Sequence, residues 1–367
     1  MKKIKDRMIC ILLGVFLFGM SFLSIILPDG EYSLSERRKL AQMPSISLKS
    51  ILSGKFMSDF EDYTTDQFPF RDAFRKIKAF TEINILGKKD NNGLYEYEGY
   101  LAEMQYPLDE ESLATAVKKF TGVYEKYLTQ SEGRIYLSII PDKNYFLAES
   151  SGHLSMDYGK LASLTAGSMS YAEYIDIFPY LSIEDYYLTD THWMQEKIID
   201  VAKVIAGSMG VSIPEEYTVP RFDTDYPFYG VYASQYALNE RSDSISLVYS
   251  DIIESLVVYD HENGRNIPVY DTGKLTANDP YETYLGGPLS LITIENPSVS
   301  NGRELIVFRD SFASSLMPLI SQGYEKVTLI DIRYISPNVL SNFVEFTGQD
   351  VLFIYSAMVL NNSETLR

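Results

Sequence analysis

Two short segments of this 367-residue sequence hold the residue types that serine-dependent acyl transfer needs. Segment 190–193 reads Asp-Thr-His-Trp, and segment 309–312 reads Arg-Asp-Ser-Phe. A serine hydroxyl is a weak nucleophile until an adjacent base takes its proton, and that base needs an acid to fix its tautomer. Ser311, His192 and Asp190 can fill these roles if the fold brings the segments together. The histidines are at positions 153, 192 and 261, and only His192 has an acid two residues before it and an aromatic residue after it.

The sequence around Ser311 predicts a position suited to catalysis. A predicted strand at 304–308 precedes Ser311 and a predicted helix at 312–322 follows it, so the serine is expected in a turn at the carboxyl end of a strand. Ligands of open α/β sheets collect at that edge. The first N–H groups of a helix have no partner within the helix, so the Ser311 N–H is a candidate donor to a developing oxyanion.

Each segment also has an ordinary structural explanation. Asp310 or Ser311 could simply cap the following helix, because both residue types do so often. His192 could be a packed histidine beside a surface acid. Trp193, the single tryptophan, is expected to pack in the core. Taken alone, each structural explanation is the more common one.

The elements that must position these segments indicate an α/β fold. Apolar runs predict buried strands of a parallel sheet at 134–140, 304–308, 326–332 and 351–355. Amphipathic stretches predict helices at 55–87, 108–130, 194–208, 312–322 and 337–346. Residues 211–300 carry alternating and β-branched runs with many turn residues, and we interpret them as a β-rich insertion.

The first 28 residues predict a membrane segment. Residues 8–27 carry no charge and follow four basic residues, and twenty helical residues rise about 30 Å, the thickness of a hydrocarbon core. The basic flank stays in the cytoplasm, so the rest of the chain is expected outside the cell. No small-residue cleavage site follows the apolar run, which favours an uncleaved signal anchor at 1–28 over a signal peptide. A polar tether at 29–54 and an ectodomain at 55–360 are expected to follow.

Composition argues against several other classes of protein. The net charge is −18, and such an acidic body repels nucleic-acid phosphates. Cys10 is the only cysteine, so the sequence has no intramolecular disulfide and no multi-cysteine metal site. No second histidine lies near His192, and neither a His-Glu-x-x-His motif nor a phosphate-binding glycine loop occurs. We therefore expect no metal and no cofactor.

Several segments, taken in order, resemble one protein family. Segment 190–193 resembles the Asp-His-His-Trp signature that names the DHHW family of Gram-positive bacteria, and 309–313 resembles its Lys-Asp-Ser-Tyr-Ala block. Segments 68–72, 141–143 and 331–334 also resemble parts of that family, so the resemblance covers about residues 33–360. The DHHW family is similar to the alginate O-acetyltransferase group, whose catalytic domain is SGNH-hydrolase-like.

The resemblance implies an SGNH-hydrolase-like α/β fold of three layers, with a parallel sheet between two layers of helices. It also implies a triad of Ser311, His192 and Asp190. Thr191 stands where the family has its first histidine, which is not the expected base, so the triad is retained. Arg309 stands where the usual Gly-Asp-Ser block has glycine. This departure puts the local turn and the oxyanion geometry in question.

The implied activity is the transfer or removal of acetyl groups on a cell-surface polysaccharide outside the membrane. Arg333 and Tyr334, which follow a neighbouring strand, are candidate substrate-binding residues. Gly287 is a third candidate through its backbone N–H, although an ordinary turn is the alternative there. An acetyl donor would have to reach the outside, which implies a membrane O-acyltransferase partner. The alternative from another class is a catalytically silent polysaccharide-binding or scaffold protein of the cell envelope that keeps the fold.

Overall fold

The computed structural model describes residues 2–33, 36, 38–222, 227–238 and 241–367, and its internal gaps fall within the predicted tether and the predicted insertion. The chain divides into two compact units. The N-terminal unit comprises residues 1–92 with 234–239, and the sheet unit comprises residues 93–233 with 240–367. The boundaries expected from the sequence at residues 28, 54 and 360 stay predictions.

The N-terminal unit is mainly helical. Its helices are α1 (Lys2–Ile26), α2 (Leu48–Leu52), α3 (Lys55–Asp66) and α4 (Arg71–Phe80), with a π-helical turn at Thr81–Ile85. A short hairpin of β1 (Tyr32–Ser33) and β2 (Arg38–Lys39) lies between α1 and α2. The helical stretch predicted at 55–87 is confirmed, with its interruption between α3 and α4. Residues Ile4–Ile26 of α1 are long and apolar enough to cross a membrane, and the protein buries none of their most apolar stretch.

The sheet unit is built around one eight-stranded sheet. Two short pairs lie outside that sheet, β3 (Leu94–Tyr97) with β4 (Tyr100–Glu103) and β7 (Arg221–Phe222) with β8 (Ile245–Ser246). The strands of the large sheet are β5 (Ile135–Ile140), β6 (Glu173–Tyr174), β9 (Val257–Asp260), β10 (Arg265–Ile267), β11 (Leu291–Glu295), β12 (Glu304–Arg309), β13 (Lys326–Ile330) and β14 (Asp350–Ser356).

The large sheet is mostly parallel, as the sequence predicts. Its order is β10-β9-β11-β13-β12-β14-β5-β6. The five strands β13, β12, β14, β5 and β6 run parallel to one another. β11, β9 and β10 extend it as an antiparallel edge. These three strands come from the predicted β-rich region, 211–300, which therefore continues the main sheet.

Helices cover both faces of the sheet and make three layers. The helices that begin in the sheet unit are α5 (Glu110–Val123), α6 (Lys143–Ser151), α7 (Tyr158–Ser168), α8 (Ile199–Ser208), α9 (Val231–Tyr236), α10 (Asp251–Ser255), α11 (Ala313–Ile320) and α12 (Ala357–Asn361). Successive residues of β12 point to opposite faces, so Leu305 and Val307 enter one hydrophobic cluster and Ile306 and Phe308 enter another. α8 and α11 supply residues to the first cluster, and α5 and α7 supply residues to the second.

Some predicted helices have different limits. Residues 337–346 form only the 3-10 helix Pro337–Asn342, so the longer helix predicted there is wrong. The serine and asparagine residues of that stretch favour local side-chain bonds over a helix interior, which limits it to a short turn. The helix predicted at 194–208 begins as a 3-10 turn, Gln195–Lys197, before α8. The helix predicted at 312–322 is α11, with Pro318 inside it.

Candidate active site

Ser311 lies in the turn between β12 and α11, at the carboxyl end of a central parallel strand. Asp310 supports this turn, because its Oδ1 accepts from the Phe312 N–H at 3.0 Å and its Oδ2 accepts from the Ser356 N–H at 2.7 Å. The second bond joins the turn to the end of β14, the adjacent strand. Asp310 therefore fixes the turn, and the Ser311 hydroxyl is left for other contacts.

The His192 imidazole lies between Ser311 and Asp190. Its Nε2 is 2.8 Å from Ser311 Oγ, and its Nδ1 is 2.6 Å from Asp190 Oδ1. An ionised carboxylate only accepts hydrogen bonds, so Nδ1 carries the proton and Nε2 accepts from the serine hydroxyl. The structure thus brings together the three residues that the sequence nominates, with the spacing that nucleophile, base and orienting acid require.

Asp190 is held by backbone N–H groups on both sides. Its Oδ1 also accepts from the His192 N–H at 3.1 Å, and its Oδ2 accepts from the Val231 N–H at 2.9 Å. Gly230 precedes Val231 and passes so close that a Cβ there would overlap the backbone and Cβ of Asp190. The carboxylate is only 2% exposed. Its orientation is therefore fixed before any substrate arrives.

The Tyr281 ring lies against one face of the His192 imidazole. The two rings stack with centroids 3.8 Å apart and planes 8° from parallel. The Tyr281 hydroxyl donates to the Ser311 carbonyl oxygen at 3.3 Å and lies 3.0 Å from Ser315 Oγ. Burial raises the pKa of Tyr281 well above its usual value, so the phenol stays neutral. No local pattern in the sequence distinguishes this residue among 29 tyrosines.

Trp193 packs in the core, as the sequence predicts. It is fully buried, and its Nε1–H donates to the Phe312 carbonyl oxygen at 3.1 Å and to Ser315 Oγ at 3.0 Å. Phe312 and Ser315 belong to the turn and helix that follow Ser311. Trp193 therefore joins the segment that carries His192 to the segment that carries Ser311.

The buried Lys143 and the half-buried Asp243 hold the peptide just before Asp190. Lys143 Nζ donates to the carbonyl oxygens of Tyr187 and Leu188 at 3.0 and 3.1 Å. The Asp243 carboxylate accepts from the N–H groups of Leu188 and Thr189 at 2.7 and 2.8 Å. Burial lowers the pKa of Lys143 to about 7, and burial raises the pKa of Asp243. These four hydrogen bonds satisfy both carbonyl and N–H groups of segment 187–189. They thereby fix the position of the following residue, Asp190.

Arg309 occupies the position where the resemblance leads one to expect glycine. Its buried guanidinium donates to Ser314 Oγ at 2.9 Å and to the carbonyl oxygens of Asp310 and Leu289 at 3.4 and 3.3 Å. Burial lowers the pKa of Arg309. The arginine braces the turn and the start of α11. Among the described residues, no oxygen accepts a hydrogen bond from the Ser311 N–H, which leaves that group available to an oxyanion.

The predicted substrate-binding residues are placed as follows. Arg333 forms an ion pair at 2.6 Å with the buried Asp331, and this contact raises the pKa of Arg333 against the cost of burial. Tyr334 is 44% exposed. The Gly287 N–H donates to the Tyr284 carbonyl oxygen at 3.2 Å, within a turn where the glycine has φ +90°. The role of these three residues in substrate binding stays a prediction.

A groove of about 980 Å³ lies beside the triad without being lined by it. Its wall includes Met358, whose Sδ accepts from Thr191 Oγ1 at 3.5 Å. Thr191 precedes His192 in the chain. The acidic residues that line it are Glu103, Asp109, Glu110, Glu111 and Glu364. Among the residues that the structure describes, no cluster of three or more histidine, cysteine or acidic residues could hold a metal ion.

Comparisons with known proteins identify the fold. No family model and no curated protein matches the chain. A DHHW family protein from Eubacterium siraeum matches with a TM-score of 0.61 and 19% identity, over 75% of this chain and 95% of that one. Bacillus cereus PatB1 matches with a TM-score of 0.55 and 16% identity, over 74% and 97%. PatB1 with a sulfonyl adduct gives a TM-score of 0.54, 16% identity and coverage of 73% and 97%. The resemblance to the DHHW family is thus confirmed at the level of the fold.

Proposed function

We propose that the sheet unit catalyses acyl transfer outside the cytoplasmic membrane, as an O-acetyltransferase or acetylesterase of a cell-surface polysaccharide. The observation that carries this proposal is the array Ser311 Oγ, His192 Nε2, His192 Nδ1 and Asp190 Oδ1, with contacts of 2.8 and 2.6 Å. The helix α1 supports the location, since a membrane anchor there would hold the sheet unit at a cell surface.

The proposed reaction has two half-reactions. Ser311 Oγ attacks the acyl carbonyl carbon while His192 Nε2 takes the hydroxyl proton, and Asp190 stabilises the imidazolium. The Ser311 N–H donates to the oxyanion of the tetrahedral intermediate. The intermediate collapses, the bond to the leaving oxygen breaks, and His192 returns the proton to that oxygen. An acyl-serine remains.

The second half-reaction decides between the two activities. If a sugar hydroxyl attacks the acyl-serine, the acetyl group is transferred, and if water attacks, it is released as acetate. His192 takes the proton of the attacking hydroxyl in either case and gives it back to Ser311 Oγ. The groove of about 980 Å³ that includes Met358, the contact of Thr191, is the candidate site for a stretch of sugar chain. A transferase would also need a membrane O-acyltransferase partner to deliver the acetyl donor outside.

The test uses the full chain in detergent with p-nitrophenyl acetate, and with an acetylated or a free oligosaccharide. Ser311→Ala and His192→Ala are expected to lower the release of acetate at least about 1,000-fold. Ser163→Ala, on the exposed side of α7, is the matched control and should keep the wild-type rate. Phenylmethylsulfonyl fluoride should add one sulfonyl group to wild-type protein and none to Ser311→Ala.

The same experiment tests the alternative of a catalytically silent scaffold. Transfer of acetyl to the free oligosaccharide identifies a transferase, and release from the acetylated one identifies an esterase. Full activity of Ser311→Ala and His192→Ala would place the chemistry elsewhere. No activity in any of the proteins, together with retained binding of polysaccharide, would favour the scaffold. In cells, the acetyl content of surface polysaccharide with wild-type protein and with Ser311→Ala gives the corresponding comparison.

A further inference from the structure

Helix α4 of the N-terminal unit turns its apolar face outward. Phe70, Phe74, Ile77 and Phe80 recur at intervals of three or four residues and form one stripe along the helix. They are 64%, 37%, 59% and 53% exposed, respectively. We call these four residues the α4 stripe. Large apolar side chains that are exposed side by side are uncommon on a water-facing surface and mark a surface that something else covers.

Two arginines of α4 are turned inward instead, with 20% of each side chain exposed. Arg71 forms a two-nitrogen contact with the Glu36 carboxylate. Arg75 Nη2 donates to the Ser234 carbonyl oxygen at 2.8 Å, and Lys78 Nζ donates to Asn91 Oδ1 at 3.0 Å. An ordinary surface helix buries its apolar stripe, whereas α4 exposes that stripe and buries most of Arg71 and Arg75. The unit is therefore organised as if the medium around the α4 stripe were apolar.

The backbone at the start of α4 also favours display of the stripe. Phe70 is the N-cap and has φ 59° and ψ 25°, in the left-handed region. That region is unfavourable for a residue with a Cβ, and an aromatic residue there is uncommon. The result of this conformation is a phenyl ring that is mostly exposed. Transfer of the ring into an apolar medium would offset the free-energy cost of this backbone conformation.

The α4 stripe is continuous with the helix that is long and apolar enough to cross a membrane. The Phe74 ring meets the Phe16 ring of α1 edge-on, with centroids 6.2 Å apart. Nearby parts of the same unit add further exposed apolar side chains, namely Ile46, Leu48, Leu52, Met57, Ile85 and Leu86. The medium that surrounds α1 therefore also reaches the α4 stripe.

We propose that the α4 stripe inserts into the lipid bilayer that α1 enters. Amphipathic helices bind there by burying aromatic and aliphatic side chains at the boundary of headgroups and acyl chains. The helix α4 carries four basic residues and one acid in a chain of net charge −18. Lys76 is exposed at the border of the stripe, where an ammonium group can meet lipid phosphate. The proposal does not depend on the acyl-transfer chemistry.

The test places an environment-sensitive NBD dye on the full chain in vesicles of phosphatidylcholine and phosphatidylglycerol. The single cysteine is removed with Cys10→Ser, and new cysteines are introduced one at a time with Ile77→Cys, Phe80→Cys and the control Asp72→Cys. Asp72 lies on the opposite side of α4 from Ile77, with its side chain 57% exposed. Lipids that carry a nitroxide on the acyl chain are expected to quench the dye at Ile77 and at Phe80 at least about twofold more than the dye at Asp72.

Two outcomes overturn the proposal. Equal quenching at all three positions would mean that the stripe does not enter the bilayer. Blue-shifted emission at Ile77 and Phe80 without nitroxide quenching would mean that protein covers the stripe, either a second copy of this chain or a membrane-protein partner. The two stripe positions are independent substitutions, so a folding defect in one leaves the other as the test.

Discussion

The Tyr281 ring lies flat against the His192 imidazole, with centroids 3.8 Å apart. Tyr281 belongs to the 3-10 helix Pro280–Thr283, in the predicted β-rich region, and its hydroxyl contacts the Ser311 carbonyl oxygen. One side chain thus contacts both the His192 ring and the Ser311 backbone. A ring held in this way has one orientation from which Nε2 can reach Ser311 Oγ.

Two substitutions of Tyr281 should distinguish the contribution of ring stacking from the contribution of the hydroxyl hydrogen bonds. Tyr281→Leu removes the ring, and we expect kcat/KM for p-nitrophenyl acetate to fall about 10- to 100-fold because the imidazole loses its alignment. Tyr281→Phe keeps the ring and loses only the hydroxyl contacts, so its loss should stay below about fivefold. The pH profile of kcat/KM should move in the leucine variant only. Equal rates for the leucine variant and the wild type would show that the stack does not position the base.

Asp190→Asn should abolish most activity while the protein stays folded. The amide oxygen can still accept from the Val231 N–H, but the side chain no longer stabilises the imidazolium or fixes the proton on Nδ1. We expect kcat to fall about 1,000- to 10,000-fold with little change in KM. Asp200→Asn, whose side chain is 85% exposed on α8, is the matched control. A loss of less than tenfold in Asp190→Asn would remove Asp190 from the triad.

Asp142 should make stability fall as pH rises through the weakly acidic range. Burial raises the pKa of this carboxyl from its usual value near 3.8 to about 7, while Tyr158 and the Asn144 N–H donate to it. Between these two values the folded protein holds a proton that the unfolded chain has lost. The free energy of unfolding of the wild type should therefore fall, relative to Asp142→Asn, by about 2–4 kcal/mol from pH 4 to pH 7.

Trp193 provides the measurement for this pH dependence. It is the single tryptophan and is fully buried in the sheet unit, so its fluorescence follows unfolding of that unit in urea. Asn in place of Asp142 can still cap α6 by accepting from the Asn144 N–H, and titrating groups that do not interact with Asp142 cancel in the difference between the two proteins. A difference in unfolding free energy that stays constant over this pH range would contradict the assignment.

The close approach of Ser311, His192 and Asp190 could be predicted from sequence because these residues lie in short segments with recognisable types. Ser311 follows an apolar strand and starts a helix, and Asp190 and His192 are two residues apart. The order of these segments matches one family, which raised two weak local signals above their ordinary explanations. The parallel sheet was predictable for a similar reason, since its buried strands are nearly continuous apolar runs.

The supporting residues could not be predicted, because they act across long sequence separations. Tyr281 and Val231 reach the site from the β-rich region, and nothing in their local sequence distinguishes them. α6 was missed because it begins with Lys143 and Asn144, which are buried. Buried polar residues of this kind break the apolar periodicity from which helices are predicted. Arg309 was likewise read only as a departure from glycine, whereas its buried side chain braces the turn through Ser314.

Gly230→Ala should disturb the site without touching any residue of the triad. A Cβ at this position would overlap the backbone of Asp190, and that backbone has no room to retreat because Lys143 and Asp243 grip the preceding peptide. We expect a loss of about 1–3 kcal/mol in unfolding free energy, typical of overpacking, and a fall in kcat that exceeds any change in KM.

Gly167→Ala is the matched control for this substitution. Gly167 lies in α7, and an added Cβ there would meet no atom within 4 Å. Alanine in a helix should leave stability unchanged or raise it by up to about 1 kcal/mol. Urea denaturation followed by Trp193 fluorescence and hydrolysis of p-nitrophenyl acetate measure both variants. If Gly230→Ala behaves like Gly167→Ala in both measurements, the close approach of Gly230 to Asp190 does not set the position of the acid.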